Sequence, residues 1–76
     1  MLQQSKQWFY QKIATIEIAE EIITTSIMKS ETKQVFLRIL ESAKDSNNAF
    51  RDDDWLILRE RLAGWMARNQ KIESML

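Results

Sequence analysis

The stretch Ile13-Ala14-Thr15-Ile16-Glu17-Ile18 decides the fold of this chain. Read alone it passes for a strand, because it is rich in residues branched at Cβ, which suit a pleated surface. Its surroundings argue the other way. No Gly, Pro or Asn-Gly pair flanks it, and apolar residues recur at helical spacing over nearly four heptads. Leu2, Phe9, Ile16 and Ile23 stand seven apart, Ile13 and Ile27 fill interleaved positions, and Lys6 and Glu20 take the remaining two. The spacing therefore predicts a single long helix near residues 4–28.

Outward from that helix, breaks must be read from polar clusters, since the chain has no Pro and one Gly. Ser30 has the side chain of a helix cap, with Glu31 placed favourably at the positive end of the dipole. Asp45-Ser46-Asn47-Asn48 competes with helical backbone bonds, and Asp52-Asp53-Asp54 suits a helix start. A short helix near 31–45 follows, with Phe36, Ile39, Leu40 and Ala43 on its apolar face, then a longer one near 52–74. In the last, Trp55, Leu58, Leu62, Trp65, Ile72 and Leu76 alternate by threes and fours, interrupted by Asn69. The expected fold is all-α, one domain over 1–76. It is a three-helix bundle or elongated helical hairpin, with Phe9, Ile16, Ile23, Trp55, Leu58, Leu62 and Trp65 along its core or dimer seam.

Length then bears on assembly. A helix of ~25 residues is ~37 Å long, whereas a compact globule of 76 residues is ~30 Å across. Trp8, Ile18 and Ile22 also project away from the first seam, and Leu56, Ile57 and Met66 away from the last. Small scaffolds without disulfides or metals often obtain missing core by oligomerising. A homodimer is expected, two-fold pairs being the commonest closed form.

Composition excludes more chemistry than it suggests. Without His or Cys the chain offers no imidazole or thiol catalysis, no Cys/His zinc site and no disulfide, and one Gly makes no phosphate loop. A calcium loop beginning at Asp45 would put Ala49 fifth, Phe50 where Gly is needed and Leu56 where the bidentate Glu belongs. Glu17, Glu20 and Glu21 have the spacing to pair with Arg59, Arg61, Arg68 and Lys71 across a hairpin, and nothing supplies the base and orienting group of a catalytic site. No enzyme activity, cofactor or metal is expected. The amino terminus has no signal-peptide pattern, and Trp55-Leu56-Ile57-Leu58, the longest apolar run, is far short of a membrane span. A cytoplasmic protein is expected.

Binding remains. Net charge is zero, but residues 45–54 carry −3 between segments of +2 at 29–44 and 55–76. The alternative of a DNA-binding helix-turn-helix regulator, with Arg59, Arg61 and Arg68 on phosphates or bases, would lead with three aspartates. The stronger signal is aromatic. Trp8, Phe9 and Tyr10 are adjacent, and consecutive helical residues point ~100° apart, so all three cannot enter one core. Trp, Tyr and Arg dominate interface hot spots, which makes Trp8, Tyr10 and Arg59 the leading partner contacts. A small non-catalytic regulator or adaptor is expected, in the manner of an inhibitor, immunity factor or assembly factor, with a protein partner of unspecified identity.

Overall fold

A computed structural model describes residues 5–44 and 50–69, which form α1 (Lys6–Lys12), α2 (Ile16–Thr25), α3 (Ser30–Lys44) and α4 (Asp52–Arg68). Among the described residues there is no strand. Leu2, Lys71, Ile72 and Leu76, the turn at 45–48, the start of the first helix at 4 and the continuation of the last beyond 69 lie outside them.

The single helix expected over 4–28 is two. Its interruption falls at Ile13, Ala14 and Thr15, inside the stretch that reads ambiguously. Ile13 closes α1 by donating its N–H to the Phe9 carbonyl, and Thr15, in extended conformation, accepts the Ile18 N–H on its hydroxyl at 3.1 Å. A capping hydroxyl of this kind satisfies a donor that helix geometry leaves free. Glu17 adds a carboxylate to the first turn of α2. The strand-like composition therefore ends a helix without building a strand. No ~37 Å rod forms, so the overhang expected of it disappears.

α2 ends where three successive hydroxyls turn back on its last carbonyls. Thr24 and Thr25 both donate to the Glu21 carbonyl, and Ser26 donates to that of Ile23. Ser30 begins α3 as its first residue and not as its cap, the Lys29 carbonyl accepting the Lys33 N–H at 2.9 Å. Asp52, Asp53 and Asp54 form the first turn of α4. The Asp54 carboxylate also accepts the Ser42 hydroxyl at 2.7 Å and pairs with Arg51 at 3.2 Å, which fastens the end of α3 to the start of α4.

Side-chain neighbours give the directions. Lys6 lies by Glu60 and Gly64 while Tyr10 meets Arg59, so α1 runs against α4. Ser42 reaches Asp54 while Phe36 shares a cleft with Trp65, so α3 also runs against α4. Glu20 pairs with Lys44 at 3.3 Å and the Ser26 carbonyl takes Lys33 Nζ at 3.3 Å, making α2 and α3 an antiparallel hairpin. Buried Phe9, Ile13, Ala19, Ile23, Phe36, Leu40, Ala43, Trp55, Leu58, Leu62, Ala63 and Met66 form one helical-bundle core. Each large side chain there contributes ~1.5–3 kcal/mol by leaving water.

Three sequence expectations fail against this packing. Met66, placed off the seam, is buried, because α4 touches both α1 and α3 and so needs a wider apolar face than one seam. Ile27, placed on the seam, is 65% exposed, because it follows the end of α2 at Thr25. The Glu20 carboxylate meets Lys44 of α3 and not an arginine of α4, since α2 hairpins onto α3.

Candidate binding face

The Cα extents are 45 × 24 × 15 Å. Two packed helix layers measure ~13–15 Å between outer Cα atoms, from an axis separation of 8–10 Å and a helix radius of ~2.3 Å. The molecule is thus only two layers thick in its short direction, and among the described residues one side of α4 packs on no other helix around Ile57. At 100° per residue, Asp53, Ile57, Glu60, Arg61, Gly64 and Arg68 fall within ~60° of Ile57, all of them exposed except Gly64, which is buried, while Trp55, Leu58, Leu62 and Met66 lie ~100–180° away in the core. Ile57 is 45% exposed and its neighbour Leu56 48%.

That face is concave at both flanks. A cleft of ≈480 Å³ opens between α3 and the second half of α4, with Val35, Phe36 and Trp65 as apolar lining and Lys6, Arg61 and Arg68 at its edge. Smaller depressions lie beside Tyr10 and beside Leu56 and Ile57, and Glu60 borders all three. The face is charged in order: Asp53 at the amino end of α4, Arg61 and Arg68 towards the other. Glu60 lies between them, 3.6 Å from Lys6 Nζ, with both side chains more than half exposed. A pair so open to water contributes at most ~1 kcal/mol and yields readily to a competitor.

Gly64 sits mid-helix on this face. A Cβ there would meet only side-chain atoms, Arg68 Nη1 at 3.4 Å and Lys6 Cε at 3.8 Å. Gly64 is itself buried, and among the described residues it is side chains, not the backbone of another helix, that come within 4 Å of that Cβ. A glycine in mid-helix costs ~1 kcal/mol against Ala.

The three expected contact residues do not form one patch. Arg59 Nε donates to the Tyr10 carbonyl at 3.0 Å, and its guanidinium carbon lies 4.1 Å from the centre of the Tyr10 ring. This half-buried clamp ties α1 to α4. Trp8 points to another side of α1, 40% exposed, edge-on to Phe9 at 4.9 Å and with Lys12 Nζ 4.9 Å from its ring centre. Of the expected seam, Phe9, Ile23, Trp55, Leu58 and Leu62 are buried, and Ile16 and Trp65 are half-buried against the core. Sequence reasoning set Leu56 and Ile57 off the seam but did not connect Ile57 with Gly64 and the charge order of α4, although the 100° rule alone places Ile57, Arg61 and Gly64 together.

Among the described residues no three carboxylates converge as a metal-holding group, and no helix is long and apolar enough to cross a membrane. No protein-family model, curated protein or solved structure matches the chain.

Proposed function

We propose that the protein is a small non-catalytic regulator or adaptor of the inhibitor, immunity or assembly-factor kind, cytoplasmic, working as a homodimer and holding a protein partner through an aromatic contact at Trp8. The carrying observation is that large apolar side chains stay exposed on every helix of so small a bundle, Trp8 on α1, Ile18 on α2, Val35 on α3 and Leu56 with Ile57 on α4, besides Ile27 and Phe50 between helices, and Trp8 is the one aromatic among those on the helices. The Leu56–Ile57 pair serves the second copy and Trp8 the partner. Trp8 has the form of a hot-spot residue, a broad apolar ring already held in place by Phe9 and Lys12, so little side-chain entropy is lost on binding.

Duplex DNA suits α4 less well. Its leading turn carries Asp52, Asp53 and Asp54, which repel phosphates, and the Arg59 guanidinium is engaged with Tyr10. A helix-turn-helix reader would retain DNA with steep salt dependence, whereas the adaptor retains little or none at physiological salt.

The test is affinity capture from the native extract with wild type beside Trp8→Ala and Tyr10→Ala, each variant shown to keep its helical circular dichroism. Trp8→Ala is expected to lose the partner bound by wild type. Retention of every wild-type partner by both variants would overturn the aromatic contact.

A further inference from the structure

We infer that the second copy packs on the open face of α4 antiparallel to it, with the two-fold axis passing between Glu60 and Arg61. This rests on the two-copy reading above and adds its geometry. End-over-end rotation about that point brings Asp53 beside Arg68 of the partner and Ile57 onto Gly64 of the partner, and the reverse by symmetry.

Three observations select that arrangement. First, charge runs from acid to base along the face, so an antiparallel copy sets opposite charges together at both ends. A parallel copy would set Asp53 on Asp53 and Arg68 on Arg68. Second, the exposed Ile57 needs a hollow, and Gly64 lines one; it is buried, with the flexible ends of Lys6 and Arg68 nearest to the place of its missing Cβ among the described residues, and these move aside when Ile57 seats there. Gly64, having no Cβ of its own, becomes the seat of a side chain from the other copy. Third, sliding the register by one turn sets Ile57 against Arg68 in one direction and against Glu60 in the other, burying a charge on an apolar side chain both times.

Two like-charge approaches accompany this register near the axis. Glu60 comes beside its own copy, where each carries Lys6 at 3.6 Å and the four charges cancel. Arg61 comes beside its copy at the opposite edge, where both side chains remain in water and salt screens them.

The protein has no cysteine, so disulfide trapping reads the register directly. Residues 57 and 64 are seven apart, ~10.5 Å along the helix, whereas a disulfide requires Cα atoms ~4.4–6.8 Å apart. Full-length Glu60→Cys is expected to cross-link to itself under mild oxidation. Ile57→Cys and Gly64→Cys are expected to remain uncross-linked separately and to form the mixed disulfide when combined. Self-cross-linking of Ile57→Cys would show a parallel pair and overturn the inference, as would a dimeric wild type whose 57 and 64 variants never cross-link together. Those outcomes leave the homodimer itself standing. A wild type that sediments as a monomer at micromolar concentration would overturn both.

Discussion

Ser26 illustrates how much a single buried hydroxyl settles. It is the polar side chain most enclosed among the described residues, and it donates to the Ile23 carbonyl while accepting the Met28 N–H, so it ends α2 and shapes the step to α3. Ser26→Ala removes both bonds without filling the space, and is expected to cost ~1–2 kcal/mol in denaturant unfolding. An unchanged midpoint would show that water replaces the hydroxyl. The Tyr10–Arg59 contact is the other residue-scale hinge of the structure. In a double-mutant cycle with Tyr10→Leu and Arg59→Met, a coupling of ~0.5–1 kcal/mol is expected from the ring face alone, since the carbonyl bond is lost with Arg59 in either background. Additive losses would remove the stacked cation from the account. Neither contact was legible in the sequence. Tyr10 and Arg59 were singled out as partner-seeking residues, and only the meeting of two helices 49 positions apart shows that they seek each other.

At the scale of elements, the helical class was legible because Phe9, Ile23, Leu58 and Leu62 keep a helical period and all end buried. The break at 13–15 was not. An apolar period that continues across a cap hides it, and Thr15 reads as one more β-branched residue until its hydroxyl is seen on the Ile18 N–H. The competition that mattered was helix against cap, not helix against strand. Thr15→Ala is expected to cost ~1 kcal/mol and Thr15→Ser almost nothing, measured by denaturant unfolding. Equal stability of the two variants would mean that the break is held by packing of Ile13 and Ile16 and not by the cap. The Glu20–Lys44 pair was missed for a related reason. With the first helix unbroken, Glu20 faces α4; once α2 folds back separately, it faces α3.

For the whole molecule, the sequence suggested half of a domain because its first and third helices outran the globule. The structure divides the first, and the expected end of the third lies outside the described residues; the proposal of a second copy now rests on other grounds, namely two layers of helices, exposed Leu56 and Ile57 on α4, a cleft lined by Gly64, and charges ordered to suit an inverted copy. Stable interfaces bury ~1,200 Å² or more in total, about 600 Å² from each copy of a molecule that exposes 5470 Å². Ile57 separates assembly from folding, since it lies opposite the core. Ile57→Asp is expected to leave the fold of the single chain within ~0.5 kcal/mol and to abolish pairing by placing a charge on the seat at Gly64. The most direct test is sedimentation equilibrium of wild type beside Ile57→Asp at micromolar concentration. The account predicts twice the 9.1 kDa chain mass for wild type and 9.1 kDa for the variant; a wild type at 9.1 kDa, or a variant that stays paired, contradicts it.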